Sequence, residues 1–303
     1  MPELPEVETI VQGLNRKLKN RKIVDLWTDW PKYFKLPKGE KNFRRCIIGK
    51  KIISVERRAK NVLIYLSDNY LMLVHQKMSG HLMVGHWQKI VSADNLPENW
   101  QGQKWRPVKF SGPFTDPMNR FIRLIFYLDD GRMLALSDLR RFAKVLCASK
   151  SIIFNLPEIK KLGPEPLDKN FTYKKFREPF FSKGGKIKQL LMDQTFISGI
   201  GNIYADEILW ASKIHPLRTI ASLKEENFRE LYRTTQSILK KAVRLRGTSI
   251  DDYRDATGQK GDYGKMLLAY HHDGEPCKRC GAIIKRMKIG GRSAHFCPRC
   301  QKI

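Results

Sequence analysis

The chain is short of acid: 30 Asp and Glu stand against 57 Lys and Arg over 303 residues, a net charge of +27. A compact body with that excess repels itself unless a polyanion is close by. Nucleic acid is the partner this predicts, because neutralising phosphates takes many Lys and Arg. An anionic membrane is the second candidate for that charge, but long apolar runs are missing, which excludes a spanning helix and sets the membrane behind nucleic acid. The first residues lack the basic-then-apolar layout of a secretion signal, so a soluble intracellular protein is expected, cytoplasmic or at the nucleoid if bacterial. No internal repeat or low-complexity stretch is found.

Cysteine is scarce, and four of the six crowd the C-terminus as Cys277-x2-Cys280 and Cys297-x2-Cys300. Two such pairs at this distance predict a zinc ribbon, with one structural Zn2+ held by four thiolates. Disulfides do not suit an intracellular chain. With the shell complete, His271, His272 and His295 are assigned no ligand role. From Cys277 onward there are eight Lys and Arg and no carboxylate. Gly290-Gly291 suits a tight hairpin tip that would hold Arg292 out toward phosphate. Cys46 and Cys147 lie in apolar surroundings and are expected to be buried free thiols.

The N-terminus reads Met1-Pro2-Glu3-Leu4-Pro5-Glu6. Pro5 suits a first helical turn, and Val7, Ile10, Val11, Leu14 and Leu18 follow at helical spacing. If Met1 is trimmed, Pro2 is also a free secondary amine beside two carboxylates. Such an amine attacks an aldehyde-like carbon to give a cationic iminium, and the carboxylates move protons.

Length suggests about two domains. Short β-type runs follow the first helix at Ile23–Trp27, Lys51–Val55, Val62–Leu66, Leu71–His75, Arg123–Leu128 and Met133–Leu136, which favours a sandwich or barrel. Pro157, Gly163, Pro164 and Pro166 mark a linker. Helical periodicity then takes over, at 171–181, 187–192, 202–212 and 222–246. The expected organisation is a β-sandwich over 1–150, a linker over 151–168, a helical DNA-binding domain over 169–272 and a zinc finger over 273–303. Within it, Gly199-Ile200-Gly201-Asn202 opens a helix and suits a phosphate. No strand precedes these glycines, which argues against a dinucleotide site.

These residues together resemble the formamidopyrimidine-DNA glycosylase and endonuclease VIII family. The likeness runs through the Pro-Glu-Leu-Pro-Glu start, Met78-Ser79-Gly80, Asp138-Leu139-Arg140-Arg141-Phe142, Leu162-Gly163-Pro164-Glu165-Pro166-Leu167, Gly199 to Glu207 and the terminal ribbon. The resemblance implies an α+β multidomain fold: a β-sandwich with an N-terminal helix, a helix-two-turn-helix domain and a zinc finger, with damaged double-stranded DNA in the cleft and the protein monomeric. It implies Pro2 as nucleophile at the sugar C1′, Glu3 as acid and base, Glu6 in support, and Lys60 on phosphates. Asn202 and Arg292 would grip the backbone, Arg141 would join the DNA contacts, and Met78, Arg140 and Phe142 would fill the hole left by the extruded base. For Met78 and Phe142 the residues alone favour ordinary core packing.

The stretch around Thr248, Ser249 and Tyr253 resembles the loop that caps oxidised purines in the formamidopyrimidine branch, so 8-oxoguanine and ring-opened purines are the expected lesions. Oxidised pyrimidines are the alternative, as are a catalytically silent DNA binder of this fold and a zinc-ribbon nucleic-acid factor. The chain departs from the family at Gln76-Lys77, Leu139 and His271-His272, and residues 87–119 match none of its motifs. There Trp87, Trp100 and Trp105 alternate with Lys and Arg, a pattern that either stacks on bases or simply covers the sandwich.

Overall fold

The computed structural model describes residues 1–91 and 96–303, which divide into two compact units. The first joins 1–160 to 246–262, and the second joins 161–245 to 263–303. The segment 246–262, expected with the helical domain, therefore packs with the sandwich. Its physical reason is a set of long-range contacts described below.

In the first unit, α1 (Leu4–Leu18) lays an apolar stripe into the core, with Val7, Ile10, Leu14 and Leu18 fully buried. The strands are β1 (Ile23–Thr28), β2 (Phe34–Leu36), β3 (Ile52–Arg58), β4 (Asn61–Leu66), β5 (Tyr70–His75), β6 (His81–Gly85), β7 (Trp87–Lys89), β8 (Trp105–Pro107), β9 (Ile122–Leu128), β10 (Met133–Ser137) and β11 (Lys144–Ser149). A four-stranded sheet runs β1-β9-β10-β6 and a five-stranded sheet runs β2-β11-β5-β4-β3. Side chains from both sheets and from α1 share one apolar core, so this is a sandwich with its first helix built in. The short α2 (Glu40–Ile47) adds Phe43 and Ile47 to that core.

All six strands read from the sequence are present. β6 and β11 were not read, because buried runs without alternation carry no period-2 signal. The stretch expected as a linker contains α3 (Lys150–Asn155) and α4 (Pro157–Lys160).

β7 and β8 form a small hairpin over the outer face of the four-stranded sheet. Trp87 and Trp105 close a second apolar cluster with Met83, Ile122, Ile125 and Ala135. Trp100 is 1% exposed, and its ring meets Phe110 edge-on. The tryptophans of 87–119 thus cover the sandwich rather than offering faces for base stacking. Lys89 and Lys104 lie over the rings of Trp105 and Trp27. Residues 92–95 of that segment lie outside the described residues.

The second unit holds α5 (Tyr173–Arg177), α6 (Ile187–Met192), α7 (Asn202–Ala211), α8 (Glu225–Arg244) and the antiparallel ribbon β12 (Lys285–Ile289) and β13 (Arg292–Phe296). α7 packs on α8 and on β13, and its residues from Tyr204 to Trp210 are all buried. Among the described residues, no helix is long and apolar enough to cross a membrane.

Candidate active site

Glu3 caps α1 in an extended conformation, and Glu6 three residues on completes a reciprocal capping box. The Glu3 amide donates to Glu6 Oε2 at 2.9 Å. The other oxygen of Glu6 accepts the Thr248 amide at 2.7 Å. Glu3 and Glu6 are 2% and 1% exposed, and Pro2 is buried beside them. A buried carboxylate shared between two amides holds the first turn and the 246–262 loop in one geometry. Gly247 makes this approach possible: its φ is +75°, and a Cβ there would stand 2.7 Å from Glu6 Oε1.

Lys60 sits at the tip of the β3–β4 hairpin, where Ala59 adopts φ +53° and Arg58 pairs with Asn61. The Arg57 guanidinium pins this tip, bonding Ala59 O at 3.0 Å and Glu8 Oε2 of α1 at 2.8 Å. Lys60 is 7% exposed, so its ammonium is held near the sandwich rather than extended into water.

Met78 and Phe142 are 38% and 51% exposed, which overturns the core-packing reading for both. Arg140 joins them: its Nη1 lies 3.2 Å from Met78 Sδ, and its guanidinium lies 4.8 Å from the centre of the Phe142 ring. The organiser beneath is Asp138, fully buried. It accepts the Ser79 hydroxyl at 2.6 Å, the Ala143 amide at 2.9 Å and the Tyr33 hydroxyl at 3.2 Å. Ser79 in turn accepts the Arg140 amide at 2.9 Å. One carboxylate therefore ties together the turns that carry all three exposed side chains. Its motif was visible in the sequence but not its role, since partners 59 and 105 residues away leave no local pattern. Arg141 turns back with φ +57° and lies over Trp30 at 4.8 Å.

The loop from 246 to 262 rests on α1 and β6. The Val84 amide donates to Ala256 O at 3.1 Å, and Gly13 leaves room for the Ala256 methyl. Tyr253 is 5% exposed and belongs to the sandwich core rather than to an open surface. The Ser249 hydroxyl donates to Tyr253 O and accepts the Gly261 amide, fixing the loop internally. Residues of the 87–119 segment brace the loop from the side. Arg254 pairs with Asp116 at 2.9 Å, and Asn119 Nδ2 donates to Gly258 O at 3.0 Å. Burial and then the neighbouring Asp251 raise the Asp252 carboxyl, while the Met1 amino group and Arg140 pull it the other way. The loop thus shares an electrostatic neighbourhood with the chain start and with Arg140.

In the second unit, Gly201 caps α7 and Asn202 begins it. Gln194 shapes the preceding turn, accepting the Gly199 amide at 2.8 Å and donating to Ile200 O at 2.7 Å. Arg292 is exposed at the ribbon tip after Gly290 and Gly291, whose φ values are +55° and +75°. The ribbon is locked to α7 through Asp206. That residue pairs with Lys188 at 2.6 Å and accepts the His295 amide and ring at 2.9 Å. Glu207 accepts the amides of Leu268, Ala269 and Tyr270. His271 has φ +61°, a left-handed conformation that favours glycine, and its ring stacks on Tyr270.

The sulfurs of Cys277, Cys280, Cys297 and Cys300 all lie within 4.8 Å of one another. Tetrahedral zinc with bonds of about 2.3 Å needs sulfurs roughly 3.8 Å apart, and Cys280 and Cys297 approach to 3.5 Å. The four thiols therefore fit one structural zinc, which supplies a crosslink for the ribbon. His295 is occupied by Asp206 instead.

Three family models match the chain: the formamidopyrimidine-DNA glycosylase N-terminal domain over residues 1–145, the H2TH domain of the same family over 162–254, and the zinc finger found in FPG and IleRS over 274–303. A formamidopyrimidine-DNA glycosylase of Pelotomaculum thermopropionicum is 37% identical over 303 residues, all of both chains. One from Herpetosiphon aurantiacus is 38% identical over 302 residues, 99% of this chain and 100% of that one. Lactococcus lactis Fpg bound to abasic-site DNA superposes with a TM-score of 0.82 at 31% identity, covering 99% of this chain and 100% of that chain. The same protein bound to Fapy-dG DNA gives 0.81 at 30% identity with the same coverage. The chain belongs to the formamidopyrimidine-DNA glycosylase family.

Proposed function

We propose that this protein is a monomeric base-excision-repair enzyme that removes 8-oxoguanine and formamidopyrimidines from duplex DNA and nicks the resulting abasic site. The observation that carries this reading is the double tie of Glu6, to the Glu3 amide and to the Thr248 amide. It holds Pro2 and Glu3 in one fixed turn beside the capping loop.

With Met1 removed, Pro2 carries a free secondary amine, which is nucleophilic in its unprotonated form. It attacks C1′ of a flipped nucleotide, the glycosidic bond breaks and the damaged base leaves. Glu3 protonates the opening sugar, and an iminium links Pro2 to C1′. That cation acidifies the C2′ proton, so elimination expels the 3′ phosphate. A second elimination expels the 5′ phosphate, leaving a one-nucleotide gap. Lys60, Asn202 and Arg292 hold phosphates around the flipped nucleotide. Met78, Arg140 and Phe142 occupy the space it leaves, where an apolar wedge and a stacking ring offset the cost of unstacking. Thr248 and Ser249 cap the lesion through the loop backbone that Glu6 secures, and Tyr253 anchors that loop. Arg141 contributes its charge to the DNA-facing surface from its seat on Trp30. In a bacterium, a DNA substrate would put the work in the cytoplasm, at the nucleoid.

The test is a duplex with a single 8-oxoguanine. Nicking with phosphate at both ends, and borohydride trapping of protein on DNA, are expected. A protein retaining Met1, whose Pro2 nitrogen is an amide, should do neither. Preferential cutting at an oxidised pyrimidine would instead favour the endonuclease VIII reading.

A further inference from the structure

Cys46 and Cys147 are 101 positions apart in sequence, yet their sulfurs meet at 2.9 Å. Cys46 ends the last turn of α2, and Cys147 lies in the middle of β11. They are not equivalent. Cys147 is 1% exposed, whereas Cys46 is half-buried, contrary to its expected full burial. Both line a surface cleft of about 450 Å3, together with Asn42, Arg45, Tyr70 and Ile152.

The surroundings divide the labour. The contact with Cys147 draws the Cys46 thiol below its ordinary value, and the Lys50 ammonium adds to this against the effect of burial. Lys50 is held by Asp68 at 2.9 Å and stands 4.0 Å over the Tyr70 ring. The same contact and burial push the Cys147 thiol up. A half-exposed cysteine at a cleft, its thiol acidified and its sulfur against a buried thiol, is the arrangement of an attacking cysteine with its resolving partner.

We propose that Cys46 and Cys147 form a second reactive site, a dithiol that reduces a hydroperoxide and closes into an intrachain disulfide. The Cys46 thiolate attacks the hydroperoxide oxygen: an S–O bond forms, the O–O bond breaks, and the departing alkoxide takes a proton to leave as alcohol, or as water from hydrogen peroxide. Cys46 is then a sulfenic acid. The Cys147 sulfur attacks it, the S–S bond forms, and the S–O bond breaks with loss of hydroxide. That hydroxide takes the Cys147 proton and leaves as water. Two thiols are oxidised by two electrons and one hydroperoxide is reduced. The two sulfurs already touch, and the bond requires them to close to about 2.05 Å.

The test uses the zinc-loaded full chain with hydrogen peroxide at low molar excess. The expected result is loss of two hydrogen masses, a Cys46–Cys147 cross-linked peptide on a non-reducing map, and recovery of both thiols with dithiothreitol. Cys147→Ser should stop at a Cys46 sulfenic acid that dimedone traps, and Cys46→Ser should lose both products. Both reduced variants should retain excision activity, because neither residue belongs to the DNA site. Oxidation confined to the zinc quartet, with Cys46 and Cys147 still open to alkylation, would overturn the proposal. So would conversion of Cys46 to its sulfinic acid in the parent protein with Cys147 untouched.

Discussion

Glu6 Oε1 lies 2.7 Å from the amide nitrogen of Thr248, across 242 positions of sequence. Through its other oxygen the same carboxylate holds the amide of Glu3. Removing it takes a carboxylate partner from two buried amides. Glu6→Ala is expected to cost about 1–3 kcal/mol of stability and to reduce borohydride trapping on 8-oxoguanine DNA far more than binding to undamaged duplex. Denaturant titration and a trapping gel check this. Equal losses in both DNA assays would make Glu6 a general stabiliser only.

Asp138 offers a second point of leverage, because it positions Arg140, Met78 and Phe142 without facing DNA itself. Asp138→Asn should slow excision from duplex roughly tenfold, about 1.4 kcal/mol of transition-state stabilisation. Single-turnover kinetics will show it. The salt dependence of binding should stay as it was, since no phosphate contact is touched.

Phosphate contacts should announce themselves through salt. Arg292→Ala is expected to lower the slope of log affinity against log salt by about 0.9 while zinc stays bound. Cys297→Ser should release zinc and weaken DNA binding, because the ribbon that presents Arg292 loses its crosslink. Phe142→Ala and Met78→Ala should slow excision yet leave the slope alone. Metal analysis and fluorescence titrations across salt separate these outcomes.

Acid should loosen the brace beside the capping loop. Burial lowers His81 to about 4 in the folded protein, where its ring meets Asn119 at 2.9 Å. An unfolded histidine takes its proton near pH 6.5, so protons favour the unfolded chain below that value. The contribution is complete above about 6.5 and declines by roughly 1.4 kcal/mol per unit as pH falls toward 4. His81→Gln should flatten part of the stability–pH curve in that window. His75, pushed down to about 3 by burial and Lys77, should supply a remaining slope of the same sign. An unchanged slope in the variant would remove His81 from this account.

The covering role of the tryptophans makes a separate forecast. Trp105→Ala uncovers the sheet face at Ile125 and Ala135 and should cost about 3–5 kcal/mol, measured by thermal unfolding. The ratio of excision opposite each of the four bases should not change in whatever folded protein remains. A shifted ratio would return the segment to a part in DNA recognition.

Much of this was legible in the sequence because the signals were local. The zinc cysteines, the start of α1 at Pro5 and six strands all follow from spacing within a few residues. What could not be read depends on distant partners. Met78 and Phe142 looked like core because an apolar side chain in a turn gives no sign of facing outward. The half-buried state of Cys46 and its meeting with Cys147 come from the packing of α2 on β11, not from either residue's sequence neighbours. The seat of 246–262 on the sandwich rests on Gly13, Val84 and Asn119, positions that carry no periodicity in common with it.

The span between Glu6 and Thr248 also has a meaning in time. A ribosome adding about 5–20 residues per second reaches Thr248 roughly 10–50 s after Glu6, so the first turn of α1 emerges long before its latch exists. In the finished fold Pro2 is buried. Met1 is 42% exposed, so the Met1–Pro2 bond lies at the edge of the fold, and an aminopeptidase would reach it more freely while the chain is still being made. If Met1 is trimmed, synthesis order would put trimming first and closure of the loop afterwards.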